Sequence, residues 1–241
     1  MTHFWIAIIS LSTLFCSGQN NPSIKAAVFT GGKNFERDAF VNALNSLNHI
    51  KTEEFFHPEG LINFKDPKLD GFDVLIFYHV SQTISEDQKQ ALLNLFKAGK
   101  PMLFLHHALV CYQDWPEYEN IVGGRYYHAR KDKDSSLIIP STYIHDQQIP
   151  VHITNPSHPV TQGLQDFVIL DEVYNLYKIQ PDVSPLLQTS HLDSKPIIAW
   201  NHTYKNSPIV YLQLGHNHTA YNDTNYRTLL ENAITFLAKQ P

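Results

Sequence analysis

Histidines end three of the four apolar runs that could form the centre of a sheet in this 241-residue chain. His79 ends one run, His106 and His107 end the next, and His216 follows the last run after Gly215. Imidazole can act as a general base, a proton shuttle or a metal ligand, because its ordinary pKa lies near neutrality. The carboxyl ends of parallel strands meet at one edge of a sheet, so we expect these rings to share a pocket.

His106 is the sharpest candidate, because a residue that leaves a buried strand at a tight turn is presented at the floor of such a pocket. We predict an acid or base role for His106, and the role of an electrophile, orienting group or ligand for His216. Gly215 would let the backbone pass close to a ligand, and Asn217 adds hydrogen-bonding groups beside it.

Two adjacent carboxylates, Asp171 and Glu172, precede Tyr174 and Tyr177, whose spacing is compatible with one helical face. A carboxylate that faces the histidines could orient an imidazole, accept a proton or complete a metal site. We predict Glu172 as the pocket residue and Asp171 as a second catalytic candidate. The carboxylate outside the pocket is expected to face solvent or cap a helix. No short motif with metal-ligand spacing occurs, so a divalent metal is an open possibility rather than a requirement.

Aromatic rings could contact a sugar, since they pack well on C–H faces. The predicted substrate contacts combine such rings with polar groups near the histidines: His79, His107, Trp115, His128, Tyr174 and Asn217.

The elements that must position these residues alternate between strand and helix in the first half of the chain. Apolar runs at 24–30, 73–79 and 102–107 predict strands, and a capping box from Ser85 to Gln88 predicts a helix that stops at Gly99. Such alternation favours an α/β fold with a mostly parallel sheet. Regular structure is expected to return at 169–177. Apolar runs at 196–200 and 208–216 follow, with a hairpin turn at 205–207 between them and a closing helix at 226–238.

The amino-acid composition limits the classes of partner that the protein is expected to bind. The chain is 43% hydrophobic and 17% charged, which suits one globular domain. Its net charge is −5 with scattered Lys and Arg, so we expect no nucleic-acid partner. Fourteen histidines and many aromatic residues suit a site for carbohydrate or metal.

The N-terminus is typical of an exported protein. The apolar run from Phe4 to Cys16 is about half the length of a membrane-spanning helix, so it predicts a signal peptide over 1–18 rather than a transmembrane segment. A linker over 19–23 and a domain over 24–240 would follow, in the periplasm or outside the cell. A lipid anchor on Cys16 is the alternative. Cys111 is interpreted as a buried thiol.

Several segments together resemble, in order, the ThuA-like (trehalose-utilisation) family over about residues 25–238: GFDVLIFYHV, FKAGKPMLFLHHALVCYQDWPEYENIVGGRYYH, NPSHPVTQGL, DEVYNLY, PIIAWNHTY and PIVYLQLGHNHTAYND. The resemblance implies a flavodoxin-like three-layer sandwich, similar to the class I glutamine amidotransferases. It also implies a link to sugar catabolism, including disaccharides oxidised to 3-keto forms. The positions it carries as family motifs are His106, His128, His158, Asp171, Glu172, Tyr174 and His216.

The sequence departs from the amidotransferase pattern at two places and from the family pattern at one. His106 occupies the elbow where amidotransferases have a cysteine, and His216 is not followed by His-Pro-Glu, so glutaminase chemistry is not implied. His107 stands where the family more often has a small residue.

We therefore expect an exported enzyme that acts on a glycoside or keto-sugar by hydrolysis, elimination or isomerisation, with His106 and Glu172 as acid and base. A non-catalytic sugar-binding module and a metal-dependent hydrolase are the alternatives. The sequence leaves the sugar and the oligomeric state open.

Overall fold

The computed structural model describes residues 23–57, 61–128, 130–131 and 137–240. Strands alternate with helices in the first part of the chain, and most of the second part consists of successive strands. The strands are β1 (Ile24–Gly31), β2 (Ile50–His57), β3 (Val74–His79), β4 (Met102–Leu105), β5 (Gly124–Arg125), β6 (Arg130–Lys131), β7 (Leu137–Ile138), β8 (Thr142–Ile153), β9 (Phe167–Asn175), β10 (Lys178–Ile179), β11 (Ser184–Thr189), β12 (Ile197–Tyr204) and β13 (Ser207–Leu212). The helices are α1 (Arg37–Asn45), α2 (Glu86–Lys97), α3 (Glu117–Val122), α4 (His218–Asn222) and α5 (Thr224–Ala238). The predicted signal peptide and Cys16 lie outside the described residues.

One large sheet has the strand order β2-β1-β3-β4-β13-β12-β11-β8-β9. The first five strands pair in parallel, and the rest pair antiparallel. The α/β class and the hairpin turn between Tyr204 and Ser207 are confirmed. The antiparallel half is larger than the sequence indicated, because the irregular central stretch supplies the long strand β8.

Apolar cores cover both faces of the sheet, which gives the three layers expected. Every residue of β3 is buried, as expected for a strand that is covered on both sides. One core packs α1 and α5 through residues such as Phe40 and Leu230. The other packs α2 and α3 through residues such as Phe96 and Tyr118. No helix among the described residues is both long enough and apolar enough to cross a membrane.

Caps set the helix ends close to their predicted positions. The Ser85 hydroxyl accepts from the Gln88 N–H at 3.2 Å, and the Gln88 side chain accepts from the Ser85 N–H at 3.0 Å, which confirms the capping box. α5 begins two residues before the predicted start because the Asp223 carboxylate accepts from two N–H groups of its first turn.

The segment around Glu172 is a strand, so the helical interpretation of the Tyr174 and Tyr177 spacing is wrong. Alternation along β9 instead puts Glu172 and Tyr174 on one face and Asp171 on the other.

Cys111 is a free, fully buried thiol, as interpreted. It donates to the carbonyl of His79 at 3.1 Å, and burial raises its pKa to about 12. Such a thiol is protonated at neutral pH and unsuited to act as a nucleophile.

Replacing Ser85 with Ala is expected to lower the free energy of unfolding by about 1 kcal/mol, because the N–H of Gln88 loses its acceptor. Urea denaturation measures this change. Ser157→Ala, at an exposed turn, is the matched control. Equal stabilities of the two variants would contradict the assignment of the cap.

Candidate functional site

His106 lies at a sharp turn at the carboxyl end of β4. The strand ends at Leu105, and His106 opens a short 3-10 helix with a positive φ of 46°. A side chain in the left-handed region costs about 1 to 2 kcal/mol, so the surrounding structure must impose this conformation. The Tyr211 hydroxyl helps to do so by donating to the His106 carbonyl at 3.1 Å.

The ring of His106 is fully buried, and both of its nitrogens are engaged. Nδ1 lies 2.5 Å from the carbonyl of Gln213, which can only accept, so Nδ1 carries a hydrogen. Nε2 faces Glu172 Oε2 at 2.8 Å, the Tyr174 hydroxyl at 3.0 Å and His216 Nδ1 at 3.1 Å.

The two carboxylate oxygens of Glu172 have different surroundings: Oε2 faces the buried histidines and Oε1 faces the half-exposed His145. Oε2 lies 2.8 Å from His106 Nε2 and 3.1 Å from His216 Nδ1, whereas Oε1 lies 3.1 Å from His145 Nδ1. Burial raises the pKa of Glu172, but the hydrogen bonds and charges of His106 and His216 outweigh burial and hold it well below its usual range. The carboxylate is therefore ionised at neutral pH.

Asp171 is buried and holds the loop that carries His216. Its Oδ2 accepts from the Gly215 N–H at 2.6 Å, and its Oδ1 accepts from the N–H groups of His216 and Glu172 at 3.0 and 2.8 Å. The expectation that the second carboxylate faces solvent or caps a helix is wrong, because Asp171 is only 2% exposed. Asp171 acts on the site by positioning His216.

Gly215 is required by packing inside the protein. Its φ is +110°, and a Cβ atom there would lie 2.3 Å from the Tyr226 hydroxyl. The close approach expected at this glycine is therefore to a side chain of α5, not to a ligand.

A cavity of about 250 Å³ opens beside Glu172. It is lined by Lys33, Val80, Gln82, His107, Val110, Tyr126, His128, Tyr143, His145, Glu172 and Tyr174. Four of the predicted site residues line it: His107, His128, Glu172 and Tyr174. His106 and His216 reach this cavity through their contacts with Glu172.

His107 brings a second buried imidazole to the cavity. Burial lowers its pKa well below the usual range, so the ring is neutral at physiological pH. Its ring lies 4.4 Å from that of Tyr78 and 4.6 Å from that of His106. Its Nδ1 has no hydrogen-bond partner within the described part of the chain.

Three predicted substrate contacts lie elsewhere. His79 is buried, with Nε2 3.1 Å from the Tyr112 hydroxyl. Trp115 lines a separate cavity of about 150 Å³. Asn217 caps α4 by accepting from the Thr219 N–H at 3.0 Å. His158, one of the family-motif positions, stabilises its own turn, because its Nδ1 accepts a hydrogen bond from the Val160 N–H.

His145 is the residue that sequence reasoning missed. It lies in a bulge of β8, where Ile144 pairs with Val173 and Gln147 pairs with Asp171, so that two residues stand opposite Glu172. A bulge re-aims a side chain, and here it brings His145 Nδ1 to the carboxylate. Only the pairing of β8 with β9 reveals this, and a positive φ of 56° at the adjacent Asp146 marks the irregularity.

Comparison with known proteins agrees with this architecture. The sequence matches the family model described as ThuA, trehalose utilisation, over residues 25–237, and the chain belongs to this family. None of the curated proteins compared matches it.

Solved structures show the same fold at low sequence identity. A ThuA-like protein from Parabacteroides merdae is 17% identical with a TM-score of 0.75, and the match covers 91% of each chain. A ThuA-like protein from Bacteroides uniformis is 22% identical with a TM-score of 0.64, covering 90% of this chain and 92% of the other. A cytoplasmic protein from Salmonella typhimurium is 12% identical with a TM-score of 0.63, covering 89% and 99%. The fold is consistent with the flavodoxin-like, amidotransferase-like sandwich that was expected.

Asp171→Asn is expected to lower the free energy of unfolding by about 1 to 3 kcal/mol, because the amide cannot accept from all three N–H groups and leaves a buried donor unpaired. Thermal and urea denaturation measure the loss. Asp193→Asn, at an exposed position, is the control and should change stability little. A fully stable Asp171→Asn protein would refute the positioning role.

Stability is expected to fall on acidification because His79 is buried as the neutral ring. Burial lowers its pKa from 6.5 to about 3. The unfolded chain then binds more protons between these values, so the contribution is complete above about pH 6.5 and is lost as pH falls toward 3. From pH 7 to pH 5 the loss from this residue is about 2 kcal/mol.

Urea denaturation of wild type and of His79→Gln, each at pH 7 and at pH 5, measures the contribution of His79 to this loss of stability. The variant should lose about 2 kcal/mol less than wild type over the same interval. Identical pH dependence of the two proteins would show that His79 does not titrate as stated.

Proposed function

We propose that this protein is a carbohydrate-active enzyme that acts on a glycoside or keto-sugar by proton transfer through His145 and Glu172. The observation that carries the proposal is the divided carboxylate of Glu172, with one oxygen on the buried histidine pair and the other on His145 at the cavity.

His145 suits the role of general base. Its Nδ1 is 3.1 Å from Glu172 Oε1, and a hydrogen donated there leaves the lone pair of the neutral ring on Nε2. The side chain is 48% exposed and lines the cavity, so a bound substrate can reach it. A carboxylate that orients an imidazole in this way also stabilises the imidazolium formed when the ring takes a proton.

His106 is assigned a positioning role instead of the acid or base role expected from sequence. Its ring is fully buried, and Gln213 and Glu172 engage its two nitrogens. His216 contacts the same carboxylate oxygen and shares this role.

The cavity supports a sugar ligand. Tyr126, Tyr143 and Tyr174 provide aromatic surface for C–H faces, while Lys33 and Gln82 provide polar groups for hydroxyls. A volume of about 250 Å³ is below the roughly 300 to 1,000 Å³ of typical ligand pockets, which favours one sugar ring. The family description, trehalose utilisation, supports the same substrate class.

The chemistry follows from the acidity of a C–H bond beside a keto group. His145 takes that proton, and the electron pair moves to the carbonyl oxygen to form an enolate that the Lys33 ammonium can stabilise. Re-formation of the carbonyl then expels the glycosidic oxygen from the next carbon while the proton held by His145 passes to that oxygen, which is elimination. Alternatively a proton returns to the carbon that lost it, and its arrival on the opposite face inverts that carbon, which is isomerisation.

A keto-glucoside incubated with the protein in D₂O is expected to exchange the proton beside its carbonyl or to lose its aglycone, as followed by NMR and mass spectrometry. His145→Ala and Glu172→Gln should each slow this reaction by about 100-fold or more, the usual contribution of acid–base catalysis.

His152→Ala is the matched control, because His152 also lies on β8 but pairs with the exposed Asp166. This variant should keep wild-type activity. Binding of the sugar without exchange or cleavage would support a binding module and overturn the enzyme, and full activity of His145→Ala would overturn the assignment of the base.

A further inference from the structure

One nitrogen or oxygen atom from each of three side chains lies close enough to the other two for all three to bind the same metal ion. His106 Nε2, Glu172 Oε2 and His216 Nδ1 are separated pairwise by 2.8, 3.1 and 3.1 Å. Nitrogen and oxygen ligands that lie about 2.0 to 2.2 Å from a tetrahedral Zn²⁺ ion are about 3.3 to 3.6 Å from one another, so the three atoms would need to separate by only a few tenths of an ångström to hold the ion.

The tautomer of His106 also fits a ligand. Its Nδ1 hydrogen is committed to the Gln213 carbonyl, so Nε2 is the ring nitrogen left to bind an ion beside Glu172 and His216. Metal-bound histidines commonly donate their other ring N–H to a backbone carbonyl or a carboxylate in this way.

The three atoms lie in a site with little access to solvent, where Glu172 is 3% exposed and His106 is fully buried. The Tyr174 hydroxyl lies 3.0 Å from His106 Nε2 and would border a bound ion. One divalent cation would contact all three ligand atoms and balance the charge of the buried carboxylate.

We propose that His106, Glu172 and His216 bind a divalent transition metal ion, with Zn²⁺ as the representative. Two imidazoles and one carboxylate suit Zn²⁺ and its neighbours, whereas Ca²⁺ and Mg²⁺ prefer oxygen ligands alone. Metal binding stands apart from the sugar chemistry, and only its use in catalysis rests on the proposed function.

Two further histidines border the same point. One ring nitrogen of His107 lies within 4.8 Å of those of His106 and His216, and His145 forms a similar group with Glu172 and His216. Nδ1 of His107 is buried and has no hydrogen-bond partner among the described residues, so this ring has a nitrogen available to a ligand.

Calorimetric titration of chelator-treated full-length protein with Zn²⁺ tests the proposal. Wild type is expected to bind one equivalent and to gain thermal stability, because an ion that binds the folded state stabilises it. Co²⁺ in place of Zn²⁺ should give a visible absorption band from nitrogen and oxygen ligands. His216→Ala and Glu172→Gln should each weaken Zn²⁺ binding by about 100-fold or more, with circular dichroism confirming that each variant is folded.

His218→Ala is the matched control, because this neighbouring histidine pairs with Glu36 outside the group and should leave Zn²⁺ affinity unchanged. Absence of saturable binding to wild type, or equal affinities in all three variants, would overturn the proposal.

The two proposals fail separately. Turnover of a keto-sugar by protein that binds no Zn²⁺ would reject the metal and keep the enzyme. Zn²⁺ binding with the expected variant pattern, but with no sugar altered, would reject the enzyme and keep the metal.

Discussion

The site depends on keeping one carboxylate ionised where little water reaches it. Glu172 is 4% exposed at its side chain, and the imidazoles of His106, His145 and His216 surround it. Desolvation opposes its charge, so the rings must stay close enough to compensate. The sharp turn at His106 and the buried Asp171 behind the His216 loop both serve this requirement.

Neither half of the sheet could build the site alone. The parallel half supplies His106 at the end of β4 and the Gln213 carbonyl just after β13. The antiparallel half supplies Glu172 and Tyr174 from β9 and His145 from β8. The residues around the carboxylate thus come from both halves, and the cavity wall adds Tyr126, His128 and Tyr143 from the stretch between α3 and β9.

The parallel half was predictable because its signals are local. Continuous apolar runs, the Ser85 capping box and the glycine after α2 each indicate their own element. The rule that ligands bind at the carboxyl ends of parallel strands predicted that His106 and His216 lie close together, and their rings are in contact. Glu172 was predicted at the pocket from its residue type, as one of two adjacent carboxylates that could orient an imidazole.

What failed depended on pairing between distant segments. Asp171 could be placed only by knowing that the Gly215 loop passes over β9, and His145 only by knowing the register of β8. Trp115 and His79 are aromatic and near the right motifs, yet they fill the interior beside Tyr112, a fate that residue type alone does not distinguish from substrate contact.

The bulge in β8 makes chain length a determinant of the site. Two residues, His145 and Asp146, occupy the space opposite a single residue of β9. Deleting His145 would restore regular pairing there and leave Asp146 opposite Glu172, on the same face as the carboxylate. A chain one residue shorter in this strand would then keep the cavity but lose the imidazole beside its carboxylate.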